Sequence, residues 1–196
     1  MIYLVRHGQT EMNLQGRIQG QGDAPLTDAG RSLASKIGQR LAEDIGSSTA
    51  LIFTSPLGRA AQTAGIIANS LHNATSVIED ERLAEVNLGE WDGLTIAEID
   101  QGWPEARTSA PPGEWFFNAP NGESFESFRQ RNAAFLRDLG GADASIKILV
   151  THGISGRVLR GLHAGLGRQE TVNLPVPNEA FFVMREDGSV DEIAVP

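Results

Sequence analysis

Cysteine is absent from this 196-residue chain. That excludes disulfides, a thiol nucleophile and thiolate metal sites, and it fits a reducing compartment. Long apolar runs are missing as well. No stretch approaches the ~18 residues of a membrane span, and the opening MIYLV is too short for a signal-peptide core. The chain is therefore read as cytoplasmic, with no membrane partner. Positive charge is scarce: 16 Lys and Arg face 25 Asp and Glu, a formal net charge of −9. That balance opposes nucleic-acid or anionic-membrane binding through bulk electrostatics. Lysine is nearly missing, with two against fourteen arginines, a bias that genome composition can produce by itself. None of this excludes a small anionic substrate, because a few arginines in one place can oppose the global sign.

What is present is ordinary for a globular protein. Apolar content of 40% and charged content of 21% suit one domain over residues 1–196, long enough to bury a proper core. MIYLV reads as a short buried strand, followed by a polar, Gly-rich loop that ends at Thr27, a helix N-cap. Leu33, Ile37 and Leu41 recur every four positions between Asp28 and Glu43, marking an amphipathic helix. ALIFTSP gives a second strand stopped by Pro56, Arg59 to Leu71 a helix, and SVIED a third strand. From Glu85 to about Ser124 the periodicity loosens, and this stretch holds all three tryptophans, Trp91, Trp103 and Trp115. Ser124 caps a helix running to Leu139. IKILVT is the fourth strand, followed by a helix over roughly Gly156 to Ala164. AFFVMRE and SVDEIAV close the chain as strands around the turn at Asp187-Gly188. Repeated strand–loop–helix units predict an α/β fold: a three-layer αβα sandwich with a mostly parallel central sheet, carrying residues 85–124 as a lid-like insertion.

Two segments share one frame. LVRHGQT (4–10) and LVTHGIS (149–155) each end a strand on His-Gly, with glycine free to turn sharply and the imidazole at the strand tip. Ligands of open α/β sheets bind beyond the carboxyl ends of the strands. Just past those ends lie Arg6, His7, Asn13 and Arg17, then Ser55 and Arg59, then Arg82 and Glu85, then His152 and Gly153. Adjacent arginines would repel a metal cation. A phosphoryl group suits them, because guanidinium offers forked, permanently charged donors. Arg59 at a helix start opposes the helix dipole, which points to an anion partner or a pairing acid.

The segments RHGQTEMN (6–13), GRIQGQGDAPLTDAG (16–30), SPLGRAAQTA (55–64), RLAEVNLGEWDG (82–93), PNGES (120–124) and THG (151–153) occur in order. Together they resemble the histidine phosphatase, or phosphoglycerate mutase-like, superfamily, over most of the chain to about residue 164. Met12 stands where an aromatic is common, and Asn121 replaces a common glycine. The resemblance implies His7 as a nucleophile that becomes phosphohistidine, its second ring nitrogen donating to a backbone carbonyl of the Gly-rich turn. It implies Arg6, Arg59 and His152 as the phosphate pocket, with His152 most effective as a cation. Asn13 and the backbone at Gly153 are further donors, Gln19 and Thr151 neighbours. It implies Glu85 as proton donor to the leaving oxygen and then as base toward water. No metal or other cofactor is called for, and the partner is a small-molecule phosphate ester. A homodimer is left open.

Hydrolysis is the favoured outcome. The resembling mutases carry a longer basic, Tyr-bearing segment after the acid, whereas here VNLGEWDG follows, short and acidic. Within 85–124 the sole cation is Arg107. The alternatives are a phosphoglycerate mutase-type transfer and a phosphate-binding module without turnover. The insertion is expected to set leaving-group choice. Trp103, Trp115, Phe116 and Phe117 would present an apolar wall, with at least two of them spent on packing the insertion against itself.

Overall fold

The computed structural model describes residues 1–71, 73–141 and 146–195. In chain order the elements are β1 (Ile2–Arg6), α1 (Glu11–Leu14), α2 (Asp28–Ile45), β2 (Ala50–Thr54), α3 (Gly58–Ser70) and β3 (Ala74–Glu79). Then follow α4 (Ile96–Gly102), α5 (Phe125–Leu139), β4 (Ile146–Thr151), α6 (Gly153–His163), α7 (Arg168–Val172), β5 (Ala180–Met184) and β6 (Val190–Ala194). Short 3₁₀ turns sit at Glu81–Leu83, Gly89–Trp91 and Trp115–Asn118.

The six strands form one sheet in the order β3-β2-β4-β1-β5-β6. The four strands β3, β2, β4 and β1 run parallel, while β5 and β6 are antiparallel additions at the β1 edge. β1 shows why the sheet is covered on both faces. Tyr3 and Val5 point into a core shared with Ile37, Leu41, Ala64 and Ile67 of α2 and α3. Leu4, between them, points the other way, to Phe135, Leu139 and Leu159 of α5 and α6. Alternation along a strand with both sides apolar is what a buried parallel strand requires.

The predicted caps hold. Thr27 Oγ1 accepts from Gly30 N at 3.0 Å, and Ser124 Oγ accepts from Ser127 N at 3.2 Å. One boundary differs: α6 begins at Gly153, three residues before the helix expected from Gly156. Its N-cap, His152, makes no side-chain cap bond. The amides of Ile154 and Ser155 are instead taken by Glu85, 69 and 70 positions away in sequence, a cap that no local pattern reveals. The residues 85–124 build a third core on the α5–α6 side. There the buried Trp91 meets Trp103 and Trp115 at ring-centroid distances of 6.2 and 6.0 Å, and Phe117 meets Phe125 at 5.2 Å. Among the described residues no helix is long and apolar enough to cross a membrane.

Candidate active site

β1 and β4 are in-register neighbours, Arg6 opposite Thr151, and His7 N continues the ladder to Thr151 O at 2.9 Å. The two strand tips therefore deliver His7 and His152 side by side, with ring centroids 5.1 Å apart. Gly8 can turn away immediately because it lies backbone-to-backbone on Gly30 at the start of α2, where a Cβ would stand 2.4 Å from Gly30 O. His7 Nδ1 pairs with its neighbour's carbonyl, Gly8 O, at 2.8 Å, so Nδ1 carries the proton and Nε2 the lone pair. Nε2 accepts from Arg59 Nε at 3.3 Å. His152 Nε2 pairs with Ser55 Oγ at 2.8 Å, and its Nδ1 is buried without a protein partner.

Burial, then the Arg59 and Arg6 guanidiniums, hold the His7 imidazole well below its usual titration range. Burial, then His7 and the same two arginines, does so for His152. Each ring is neutral at pH 7 by its protein surroundings alone. For His152 this agrees with the sequence reading, in which the cationic form is favoured by the substrate dianion: the charge has to come with an anion.

Arg59 is fully buried in the first turn of α3. Of the two explanations offered for its placement, the pairing acid is present: Arg59 meets Asp23 at 3.3 Å, and its Nε reaches the neutral His7 ring. Its remaining bonds go to backbone, Nη1 to Gly22 O at 2.8 Å and Nη2 to Gly20 O at 2.7 Å. Arg6 donates from Nη1 to Asn178 Oδ1 at 2.7 Å, while its Nε is buried without a partner. Gln19 accepts from Thr10 Oγ1 at Oε1 and keeps a buried, unpartnered Nε2. Asn13 uses Oδ1 on Thr10 N at 3.2 Å, which leaves its NH₂ end for a ligand. Glu85 is buried. Its Oε1 accepts from Val86 N (3.0 Å) and Ser155 N (3.0 Å), its Oε2 from Ile154 N alone (2.9 Å), while the single Ser155 hydroxyl proton is shared between Ala84 O (2.9 Å) and Oε1 (3.1 Å).

Arg6, His7, Asn13 and Arg17 are common to two connected lobes of one cleft. One lobe, about 440 Å³, runs past Gln9, Leu33, Asn178 and Glu179. The other, about 190 Å³, runs under the insertion past Gln19, Glu85, Leu88, Phe116 and Gly153. His152 and Arg59 stand behind His7. The predicted set Arg6, His7, Asn13, Gln19, Arg59, Glu85, His152 and Gly153 thus comes together. Two residues do not join it. Arg82 turns to Asp80 (2.7 Å) and Asp138 (2.5 Å), and Thr151 Oγ1 is spent on Leu83 O at 2.7 Å. Of the four aromatics offered as a wall, Phe116 alone lines the cleft; the others serve the insertion's core. Asn178, Asp23 and the Ser55 contact were not foreseen. Among the described residues no group of three or more His, Cys, Asp or Glu is arranged to hold a metal ion.

The model of the histidine phosphatase superfamily (branch 1) matches residues 2–194. The chain belongs to the histidine phosphatase superfamily. It is 38% identical over 158 residues to a Klebsiella pneumoniae protein named "Probable phosphoglycerate mutase GpmB", covering 79% of this chain and 70% of that one. A mycobacterial glucosyl-3-phosphoglycerate phosphatase solved with VO₃ superposes with a TM-score of 0.78 at 30% identity, over 92% of this chain and 90% of that one. The α-ribazole phosphatase of Shigella flexneri shares the fold, with a TM-score of 0.78 at 23% identity over 99% of this chain and 95% of that one. Histidine phosphatase relatives thus carry both hydrolase and mutase names.

Proposed function

We propose that this protein is a metal-independent phosphomonoesterase that acts through a phosphohistidine on His7. One observation carries the reading. The Gly8 carbonyl fixes the His7 proton on Nδ1, which leaves a nucleophilic Nε2 beside Arg6, Arg59 and His152. Nε2 gives up the Arg59 hydrogen bond and attacks phosphorus with the freed lone pair, the ester P–O bond breaks, and the leaving oxygen takes a proton from Glu85. Oε2 is the oxygen suited to that proton, since Oε1 already accepts from two backbone amides and Oε2 from one. Glu85, now a carboxylate, then takes a proton from water as the water oxygen attacks phosphorus. The P–N bond breaks and inorganic phosphate is released.

The unpartnered Arg6 Nε, Gln19 Nε2 and His152 Nδ1 are donors or a potential cation for the three equatorial oxygens. A dianion there would raise His152 toward its charged form. Because Glu85 lies in the lobe under the insertion, the leaving group occupies that lobe, against Leu88 and Phe116. The insertion acts as a lid on leaving-group choice.

The test is His7→Ala, expected to abolish hydrolysis of 4-nitrophenyl phosphate and trapping of an acid-labile phosphoenzyme. Activity above about a tenth of wild type would refute a nucleophilic role. The names of the curated relatives favour a second reading, phosphoglycerate isomerisation. Against it, Arg107 is turned to Asp100 at 2.7 Å and lies over the Trp115 ring. Arg17 is engaged by Glu98 at 3.0 Å and by Gly93 O at 2.8 Å. Assay of isomerisation with and without a bisphosphate primer decides between the two.

A further inference from the structure

Asp92 belongs to the insertion and takes no part in the steps above. Its carboxylate nevertheless collects three successive peptide N–H groups, Gly20 (2.9 Å), Gln21 (3.0 Å) and Gly22 (2.6 Å). Convergent amides of this kind form an anion nest, and here the chain fills the nest with its own side chain. The carbonyls of the same loop face the other way. Gly20 O and Gly22 O receive the two terminal nitrogens of Arg59 at 2.7 and 2.8 Å. The Gly20 carbonyl and the Gln21 N–H belong to one peptide plane and point in opposite directions. A single rigid unit therefore lies between the Asp92 carboxylate and the Arg59 guanidinium.

The loop has little freedom to seat itself otherwise. A Cβ on Gly20 would stand 2.7 Å from Val86 O, next to the acid, and one on Gly22 would stand 3.1 Å from Asp92 Oδ2. The donor inventory of Arg59 shows what this seating accomplishes. Of five N–H groups, one goes to His7, two to Gly22 O and Asp23, and one to Gly20 O. One terminal N–H is left over. Without the two carbonyls the guanidinium could rotate, and neither the His7 contact nor the spare donor would keep its place.

We propose that Asp92 is a positioning residue for Arg59: it pins residues 20–22 so that their carbonyls hold the guanidinium against His7 and aim the spare donor at the phosphoryl group. The proposal rests on the phosphoryl-pocket reading given above. It assigns to the insertion a second task besides covering the cleft, since the residue that sets the loop comes from there.

The experiment uses the full chain and near-isosteric Asp92→Asn, which keeps one acceptor and turns an NH₂ toward the amides. Three quantities are read: thermal unfolding, affinity for inorganic phosphate by calorimetry, and kcat/KM for 4-nitrophenyl phosphate. The expected result is a folded variant whose phosphate affinity and kcat/KM fall about tenfold to a hundredfold, the penalty of a misplaced pocket group. In an Arg59→Ala background the same substitution should change whichever readout remains measurable by less than about twofold, because the group it positions is gone. An undiminished Asp92→Asn enzyme overturns the proposal. So does an equal loss in both backgrounds, which would mean a general effect on the fold. If Asp92→Asn does not fold, Asp92→Ser takes its place, and failure of both to fold also overturns it. A wild type that binds phosphate but hydrolyses no ester refutes the hydrolase reading, while the affinity arm still tests Asp92. A wild type that binds no phosphate sinks both.

Discussion

Glu85 is shaped from two directions, by its own neighbour Val86 and by the first turn of α6, and these donors leave its two oxygens unequally loaded. An amide cannot reproduce that, because its NH₂ would face an N–H group. Glu85→Gln should therefore lower kcat, and lower it more for alkyl phosphates, whose leaving oxygen needs a proton, than for aryl phosphates. A general acid is worth roughly 10²–10⁴-fold, so a difference of at least about tenfold between the two ester classes is expected in steady-state kinetics. Equal losses would remove Glu85 from the acid role. At this scale the sequence is legible where a residue's position is local. Arg6, His7 and His152 end strands and Arg59 opens a helix, so their convergence could be inferred before any coordinates. Asn178, Asp92 and the pairing of Ser55 with His152 could not be found that way. Their significance is made by partners 172, 70 to 72 and 97 positions away, and an isolated Asn, Asp or Ser carries no mark of such a contact.

At the scale of elements, the loop after β1 is held to α2 by two glycines in mutual contact. A Cβ on Gly30 would stand 2.2 Å from Gln9 O. Gly30→Ala should cost about 1–3 kcal/mol in denaturant unfolding, as overpacking does, and should also slow turnover by shifting the Gly8 carbonyl that orients His7. Gly65, inside α3, has nothing within 4 Å of the same position, so Gly65→Ala should stabilise by roughly 0.5–1 kcal/mol and leave turnover unchanged. The contrast separates a packing glycine from an incidental one. Strands and long helices were readable because both sheet faces are apolar and because α2, α3 and α5 repeat their apolar residues over many turns. The short α1, α4 and α7 span four, seven and five residues, too few for a periodicity. The start of α6 escaped because its cap arrives from Glu85 instead of from the preceding residues.

For the whole molecule, the buried histidine pair ties stability to pH. The folded protein holds both rings neutral, while the unfolded chain protonates each near pH 6.5. Below that value the unfolded state binds more protons, so stability falls as pH falls, by up to about 1.4 kcal/mol per pH unit for each ring. Above it the two rings contribute no slope. Urea unfolding between pH 7 and 5 should show this decline, and added inorganic phosphate should flatten it by favouring a cationic His152. A decline unaltered by replacing both histidines with asparagine would place its origin elsewhere. The distance between those rings has a further consequence. At 5.1 Å it nearly matches the spacing of about 4.8 Å between neighbouring strands, so the main-chain ladder itself serves as the ruler for the reactive pair. A ruler made of peptide groups is blind to side-chain exchange. Descendants of this chain can rewrite the surrounding loops for new esters while the gauge between the imidazoles stays constant.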